Sequence, residues 1–259
     1  MIRDISRNDL ARLRELLARA NDAPYDLVRV AEEKCFGDGF EGAPRARIYG
    51  DFHGVSVTCG KYLRVLAVDR AQRRRGIGSA LLRDAEERGA YVIAAEPGNY
   101  FTPGVDESLV PFFTRRGYHE TARPFNLVVD TLPAAVPPGV QRNGERVLDF
   151  IDREFGSIWR FEAARGAAVF WIEVEGQVAG FSTHEANNRG LGAFGPTGVA
   201  IPYRGRGLGR QLAIASLADL RRLGYHRAVI PWTDATEYYR KICGAKIAHR
   251  FVVLRKESA

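Results

Sequence analysis

Apolar residues recur along this chain in two rhythms, and the changes from one to the other outline its elements. Ile2 to Ile5 reads as a short strand, after which Leu10, Leu13, Leu16 and Leu17 fall at helical spacing. Ser6 followed by Asp9 marks the start of that helix, because a serine hydroxyl accepts from the free N–H groups of a first turn. A second helix is predicted from Tyr25 to Cys35. Strands follow at Arg47–Phe52, Val55–Cys59 and Tyr62–Val68, with His53-Gly54 and Gly60-Lys61 as turns. Ser79 to Arg88 is amphipathic, with Leu81, Leu82 and Ala85 on one side and Gly89 as its stop. Tyr91–Ala95 reads as a buried strand and Glu107–Arg116 as a helix ended by Gly117. Strands near Tyr118–Thr121 and Asn126–Val129 follow.

Residues 131–140, TLPAAVPPGV, hold three prolines and no charge, which makes a stiff connector. Beyond it the order repeats. Arg146–Phe155 and Ile158–Arg165 are helical in pattern; Ala168–Val174 and Gln177–His184 form a hairpin across Glu175-Gly176; Ala193–Ala200 is a third strand. A long helix carries Leu208, Leu212, Leu217, Leu220 and Leu223 and ends at Gly224. A strand at His226–Pro231, a helix at Ala235–Cys243 and a terminal strand at Ala245–Arg255 complete the chain. A unit of about 120–130 residues therefore occurs twice. The predicted division is a first domain over 1–131, a connector over 132–139 and a second domain over 140–259.

Composition narrows the class. The 259 residues are 46% apolar and 27% charged, enough apolar side chain to offset the entropy of ordering. No apolar run approaches a membrane span, and the start lacks the apolar core of a signal peptide, so a cytoplasmic protein with no membrane partner is expected. Cys35, Cys59 and Cys243 are too scattered for a disulfide framework or zinc site. His53, His119, His226 and His249 lack metal-ligand spacing, and no metal is expected. The net charge of +7 is concentrated in two places, Arg70, Arg73, Arg74, Arg75 and Arg204, Arg206, Arg210, both interleaved with glycine. Nucleic-acid patches interleave basic with aromatic residues, and that pattern does not occur, so no nucleic-acid partner is expected.

The two arginine clusters lie in matching loops. The first runs Leu66-Ala67-Val68-Asp69-Arg70-Ala71-Gln72-Arg73-Arg74-Arg75-Gly76-Ile77-Gly78-Ser79. The second runs Thr197-Gly198-Val199-Ala200-Ile201-Pro202-Tyr203-Arg204-Gly205-Arg206-Gly207-Leu208-Gly209-Arg210. In each, a strand ends in valine, arginine follows five residues later, and Gly-x-Gly opens an amphipathic helix. Unpaired N–H groups at a helix start attract anions, and glycine lets an anion approach the backbone; the pair suits a pyrophosphate. Neither loop is a Walker motif or a full G-x-G-x-x-G.

Arg/Gln-x-x-Gly-x-Gly/Ala between strand and helix resembles the signature of the GNAT acetyltransferases. Arg73-Arg74-Arg75-Gly76-Ile77-Gly78 and Arg204-Gly205-Arg206-Gly207-Leu208-Gly209 both match it. Phe112-Phe113-Thr114-Arg115-Arg116-Gly117-Tyr118 resembles the family's Phe-Tyr-x-x-x-Gly-Phe element. So does Tyr238-Tyr239-Arg240-Lys241-Ile242-Cys243-Gly244-Ala245, with one extra residue. The whole arrangement is similar to bacterial tandem GNAT proteins such as glucosaminide N-acetyltransferases and mycothiol synthase. The resemblance implies an α/β fold of two tandem GNAT domains, each a mixed, mostly antiparallel sheet flanked by helices with splayed central strands. It implies acetyl-CoA as cosubstrate and a primary amine, of a small molecule or of a protein, as acceptor. The cosubstrate's pyrophosphate would rest on the glycine loop, and a backbone N–H within Leu66–Val68 or Thr197–Val199 would hold the thioester carbonyl. The amine attacks directly, so no enzyme nucleophile is required.

The family's tyrosine on the last helix, which protonates the departing thiolate, has a phenylalanine counterpart in the first half, Phe113. The second half offers Tyr239, with Tyr238 beside it, and chemistry is therefore expected in the second half. Asp234, His184, Glu185 and Glu173 are candidate bases there, Asp234 first among them; as a helix cap Asp234 has a purely structural alternative. Glu96 is the candidate in the first half. The stretch Gly98–Asp106, rich in glycine and aromatics, reads either as a lining of the amine site or as a surface loop. A CoA-binding regulatory protein without turnover is the competing class. Either a monomer or a homodimer is compatible with the sequence.

Overall fold

The computed structural model describes residues 1–22 and 25–257. The first half of the chain forms β1 (Ile2–Asp4), α1 (Leu10–Ala20), α2 (Ala31–Phe36), β2 (Arg45–Tyr49), β3 (Gly54–Cys59), β4 (Tyr62–Val68), α3 (Ile77–Glu86), β5 (Val92–Ile93), α4 (Val110–Thr114) and β6 (His119–Ala122). The second half begins with β7 (Phe125–Val129), β8 (Gln141–Arg142), α5 (Glu145–Phe155), α6 (Ser157–Arg165), β9 (Ala168–Val174), β10 (Gln177–His184) and β11 (Phe194–Val199). It ends with α7 (Leu208–Arg222), β12 (Ala228–Thr233), α8 (Thr236–Cys243), β13 (Lys246–Arg250) and β14 (Val253–Arg255).

Several elements differ in extent from the pattern, each for a local reason. The helix predicted from Tyr25 shrinks to α2, because the Asp26 carboxylate accepts the Arg29 N–H at 3.0 Å and forms a turn instead. The strand predicted over Tyr91–Ala95 keeps only β5, because Ala94 and Ala95 turn to φ 53° and 51°. The terminal strand breaks into β13 and β14: Phe251 donates its N–H to the Pro124 carbonyl, and Val252 bridges Val105. At the first helix, Ser6 and Asp9 close a capping box around a 3-10 turn that leads into α1.

The chain divides into two compact units, Met1–Pro124 with Arg250–Ala259, and Phe125–His249. Unit 1 holds one sheet in the order β1-β2-β3-β4-β5-β14-β6. Its pairs are antiparallel except β4–β5, which run parallel. Unit 2 holds two sheets, β11-β10-β9-β8 and β12-β7-β13. The division departs from the predicted one. Strand β7, from the first predicted domain, sets Leu127 against Ile230 and Val129 against Ala228 and lies in the unit 2 core. The last strand, β14, is an interior strand of the unit 1 sheet, between β5 and β6. The proline connector lies within unit 2. Pairing and burial set the boundary, and neither follows composition.

Helices α3 and α7 rest on their sheets through matching glycines. A Cβ on Gly54 would lie 3.0 Å from Leu81, and one on Gly180 would lie 3.0 Å from Leu212. That close approach fixes where each helix begins relative to its strand.

Candidate active site

Both glycine loops have the same backbone. Gly76 and Gly207 cap α3 and α7 in the left-handed region, at φ 82° and 76°, and a Cβ at either would meet nothing within 4 Å. The first helical bond of α3 runs from the Ala80 N–H to the Gly76 carbonyl, which leaves the N–H groups of Ile77, Gly78 and Ser79 outside the helical ladder. Both loops also turn two residues earlier at positive φ, at Arg74 (64°) and Gly205 (78°).

The arginines divide by role. Arg73 donates to the Val68 carbonyl at 3.2 Å and Arg204 to the Val199 carbonyl at 3.0 Å, so the first arginine of each motif is turned back to brace its own strand. Arg73 is held further by the Ala20 carbonyl and by Asp22, which also pairs with Arg70. Arg206 lies over the Tyr203 ring, 5.7 Å from its centre. The side chains of Arg74, Arg75 and Arg210 are exposed and have no partner among the described residues.

In unit 1 the loop opens onto a cavity of about 940 Å³. Strands β4 and β5 pair only at Tyr62–Val92 and Leu63–Ile93 and then part. The gap is lined by Leu66, Ala67 and Val68 of β4 and by Gly76, Ile77, Gly78 and Ser79 of the loop. Across from them stand Phe112 and Phe113 of α4. Arg73, Arg74, Arg115 and Arg116 line the gap too. Phe101, Thr102, Gly104, Val105 and Asp106, from the stretch singled out in the sequence, line it as well.

Behind the fork lies a polar cluster of which the sequence reading singles out only Glu96 as a candidate. Arg64, the first β4 residue after the last pair, and Glu96, just beyond β5, are both fully buried and form a two-pronged ion pair. Arg64 also donates to the carbonyls of Lys34 and Gly37, each at 2.8 Å. The buried Lys34 ammonium donates to Asn99 and Glu33, each at 2.7 Å. Glu96 is therefore a structural counter-ion here, not a free base. One signal was available, a lone arginine inside the apolar strand YLRVLAV.

Unit 2 places its candidates differently. Tyr239 is 7% exposed; its ring packs edge-on against Phe194, 5.9 Å between centres, and burial pushes its phenol well above the ordinary range. Tyr238 is 42% exposed, and a Cβ on Gly209 would lie 2.5 Å from its hydroxyl. The extra residue of the motif is absorbed at the end of α8, where the Ala245 N–H reaches the Tyr239 carbonyl, as the Tyr118 N–H reaches that of Phe113. Tyr239 thus corresponds to Phe113, and Tyr238 to Phe112. Asp234 is exposed; its side chain caps nothing, while its carbonyl takes the Thr236 N–H. Glu185 is held by the Gly190 and Ala193 N–H groups and the Tyr225 hydroxyl, and Glu173 pairs with Arg146. His184 is fully buried, 2.9 Å from Asp219, and burial lowers its pKa. Thr197 and Gly198 sit on β11, where a Cβ on Gly198 would strike the Phe155 ring. Burial raises the Cys35 thiol to about 12 and, with Glu96 nearby, Cys59 to about 11, so both are inert.

Two family models match the chain, a GNAT acetyltransferase domain over residues 46–127 and the GNAT acetyltransferase family over 137–245. The chain is a tandem GNAT protein. Solved structures resemble it over nearly its whole length. A GCN5-related glucosamine N-acetyltransferase region of a fungal multi-domain protein superposes with a TM-score of 0.76 at 16% identity. The match covers 98% of this chain and 38% of that one. A tandem GNAT protein from the clavulanic acid biosynthesis pathway gives 0.71 at 17% identity, with 100% and 98% covered. A GCN5-related N-acetyltransferase from Sphaerobacter thermophilus gives 0.67 at 18%, with 99% and 95% covered. At such identities the likeness is one of fold. No curated protein sequence matches the chain. The two GNAT domains are those of an acetyltransferase; among the described residues no group of side chains is arranged to hold a metal, and no helix is long and apolar enough to cross a membrane.

Proposed function

We propose that this protein transfers an acetyl group from acetyl-CoA to a primary amine of a small molecule, and that the cosubstrate lies in the unit 1 cleft. The observation that carries the reading is the 940 Å³ gap between β4 and β5, continuous with the glycine loop. Its size falls at the upper end of ordinary ligand sites, roughly 300–1,000 Å³. The residues fit the group. The N–H groups of Ile77, Gly78 and Ser79 would take the pyrophosphate, with the exposed Arg74 and Arg75 adding charge, and backbone N–H groups of Leu66–Val68 would face the acyl carbonyl. Acetyl-CoA supplies an activated thioester. The chain binds it, orients the amine beside it and excludes water. A thiolate is a good leaving group in its own right, a cysteine thiol ionising at about 8.5, so Phe113 does not disqualify this unit.

A second reading keeps the chemistry in unit 2. It is favoured by Tyr238, whose hydroxyl lies over Gly209 at the start of α7 and would serve as proton donor in place of the buried Tyr239. The exposed Asp234, just past β12, would then be the candidate base. Calorimetric titration with acetyl-CoA decides. Gly78→Glu places a carboxylate at the start of α3, where a Cβ has ordinary contacts of 3.6–3.8 Å. It should weaken binding roughly a hundredfold or more, through like-charge repulsion. Gly209→Glu should leave this site intact. The reverse pattern moves the active centre to unit 2; no binding by the unmodified chain removes the enzyme reading.

A further inference from the structure

The inner end of the unit 1 cavity is apolar, and the polar groups behind it already have partners. Of the residues that line the cavity, Leu27, Leu63, Ile93, Phe101, Val105 and Phe251 are each at most 9% exposed and make its buried apolar wall. The hydroxyl of Thr102, which also lines the cavity, donates to the Gly104 carbonyl at 2.7 Å. The Arg64 guanidinium is committed to Glu96 and two carbonyls. The Asn99 amide accepts from Lys34 and donates to the carbonyls of Glu33, Gly37 and Asp38. The carboxylates lining the cavity, among the described residues, are Asp22 and Asp106, both exposed; Asp22 is gripped by Arg70 and Arg73, and Asp106 accepts from Ser108.

Resting on the reading that acetyl-CoA enters this cleft from the glycine loop, we infer that the acceptor is an amine carried on an apolar body, an arylalkyl- or alkylamine, rather than an amino sugar or a polyamine. A site that selects hydroxyl groups must offer them buried hydrogen-bond partners, and one that selects a second cation must offer a free carboxylate. The inner wall offers neither, whereas its aromatic and aliphatic side chains gain from covering an apolar body. The amine arrives as an ammonium and gives one proton to water. The C–N bond then forms as the C–S bond breaks, and the second proton goes to the departing sulfur. The products are the amide, CoA thiol and one released proton.

The test uses the full chain with acetyl-CoA and four acceptors: phenethylamine, hexylamine, glucosamine and spermidine. Thiol release is followed, and amine binding in the presence of CoA is measured by calorimetry. The kcat/KM values of the first two amines should exceed those of the others by about tenfold or more. Phe101→Ser should raise the KM and the Kd for phenethylamine about tenfold and leave the KM for acetyl-CoA unchanged. The panel on the unmodified chain carries the test if that variant does not fold. Acetyl-CoA binding together with a preference for glucosamine or spermidine, or with no preference, overturns the inference and leaves the acetyltransferase reading standing. Absence of acetyl-CoA binding overturns both.

Discussion

Leu63 and Phe194 hold matching positions five residues before the valine that ends β4 and β11, yet the forks they open are built from different materials. In unit 1 the next residue is Arg64, whose buried pair with Glu96 spans the parting strands beside an open cavity. In unit 2 the next residue is Gly195; Phe194 turns into a core with Ile230 and Tyr239, and Ala193, just before β11, bridges Val229 of β12. The glycine loops, by contrast, agree to within a few degrees at their capping residues, 82° and 76°. The backbone of the glycine loop is kept in both copies, while the chamber beside it is shaped by side chains the two copies do not share. A signature loop is therefore a guide to fold, and the fork is the guide to which unit has room beside it.

The largest effects should come from the fork itself. Arg64→Met leaves Glu96 buried without its partner and should cost about 3–5 kcal/mol in urea unfolding, most of it regained when Glu96→Leu is added. A cost under about 1 kcal/mol would mean that the pair does not hold the fork. Phe194→Ala should cost a similar amount in unit 2, about 3–5 kcal/mol, by opening a cavity, and no charge change should rescue it.

Next in size are the exchanged strands. Leu254 of β14 and Leu127 of β7 are both fully buried, each in the unit opposite to the one the predicted division gave it. Either one changed to alanine should cost about 2–5 kcal/mol. Hydrogen exchange should show Leu254→Ala loosening β5 and β6, and Leu127→Ala loosening β12 and β13. Loosening in the opposite units would refute the assignment of the strands.

A smaller effect separates the units by pH. Burial holds the His184 pKa below its ordinary value of 6.5. The folded chain then binds fewer protons than the unfolded one, so stability is full above 6.5 and falls as pH drops from there toward the lower folded value. The slope is at most about 1.4 kcal/mol per pH unit. His184→Gln should flatten unfolding curves taken between about pH 7.5 and 5. An unchanged slope would show that His184 titrates normally.

The smallest effect is expected at Tyr239. Removing its hydroxyl leaves the ring against Phe194, so Tyr239→Phe should shift stability by less than about 1 kcal/mol and turnover by less than about twofold. A drop of about a hundredfold, the scale of a lost general acid, would return the chemistry to unit 2.

What the sequence determined by itself is what depends on neighbours in the chain. The paired loops, their glycine caps, the amphipathic helices behind them and the hairpin strands Tyr62–Val68, Ala168–Val174 and Gln177–His184 all follow from local sterics and periodicity. The tandem GNAT architecture was legible because it occurs twice in one order. Tertiary structure decided the rest. Which arginine faces solvent depended on Val68, Ala20 and Asp22 being within reach of Arg73. Burial of Tyr239 depended on Phe194, a strand from elsewhere in the unit. The place of β14 beside β5, and with it Phe251 in the wall of the cleft, joins residues at opposite ends of the numbering. Periodicity tells which face of an element is apolar; it carries no record of which distant element will cover that face, because that choice rests on the free energy of the whole packed unit.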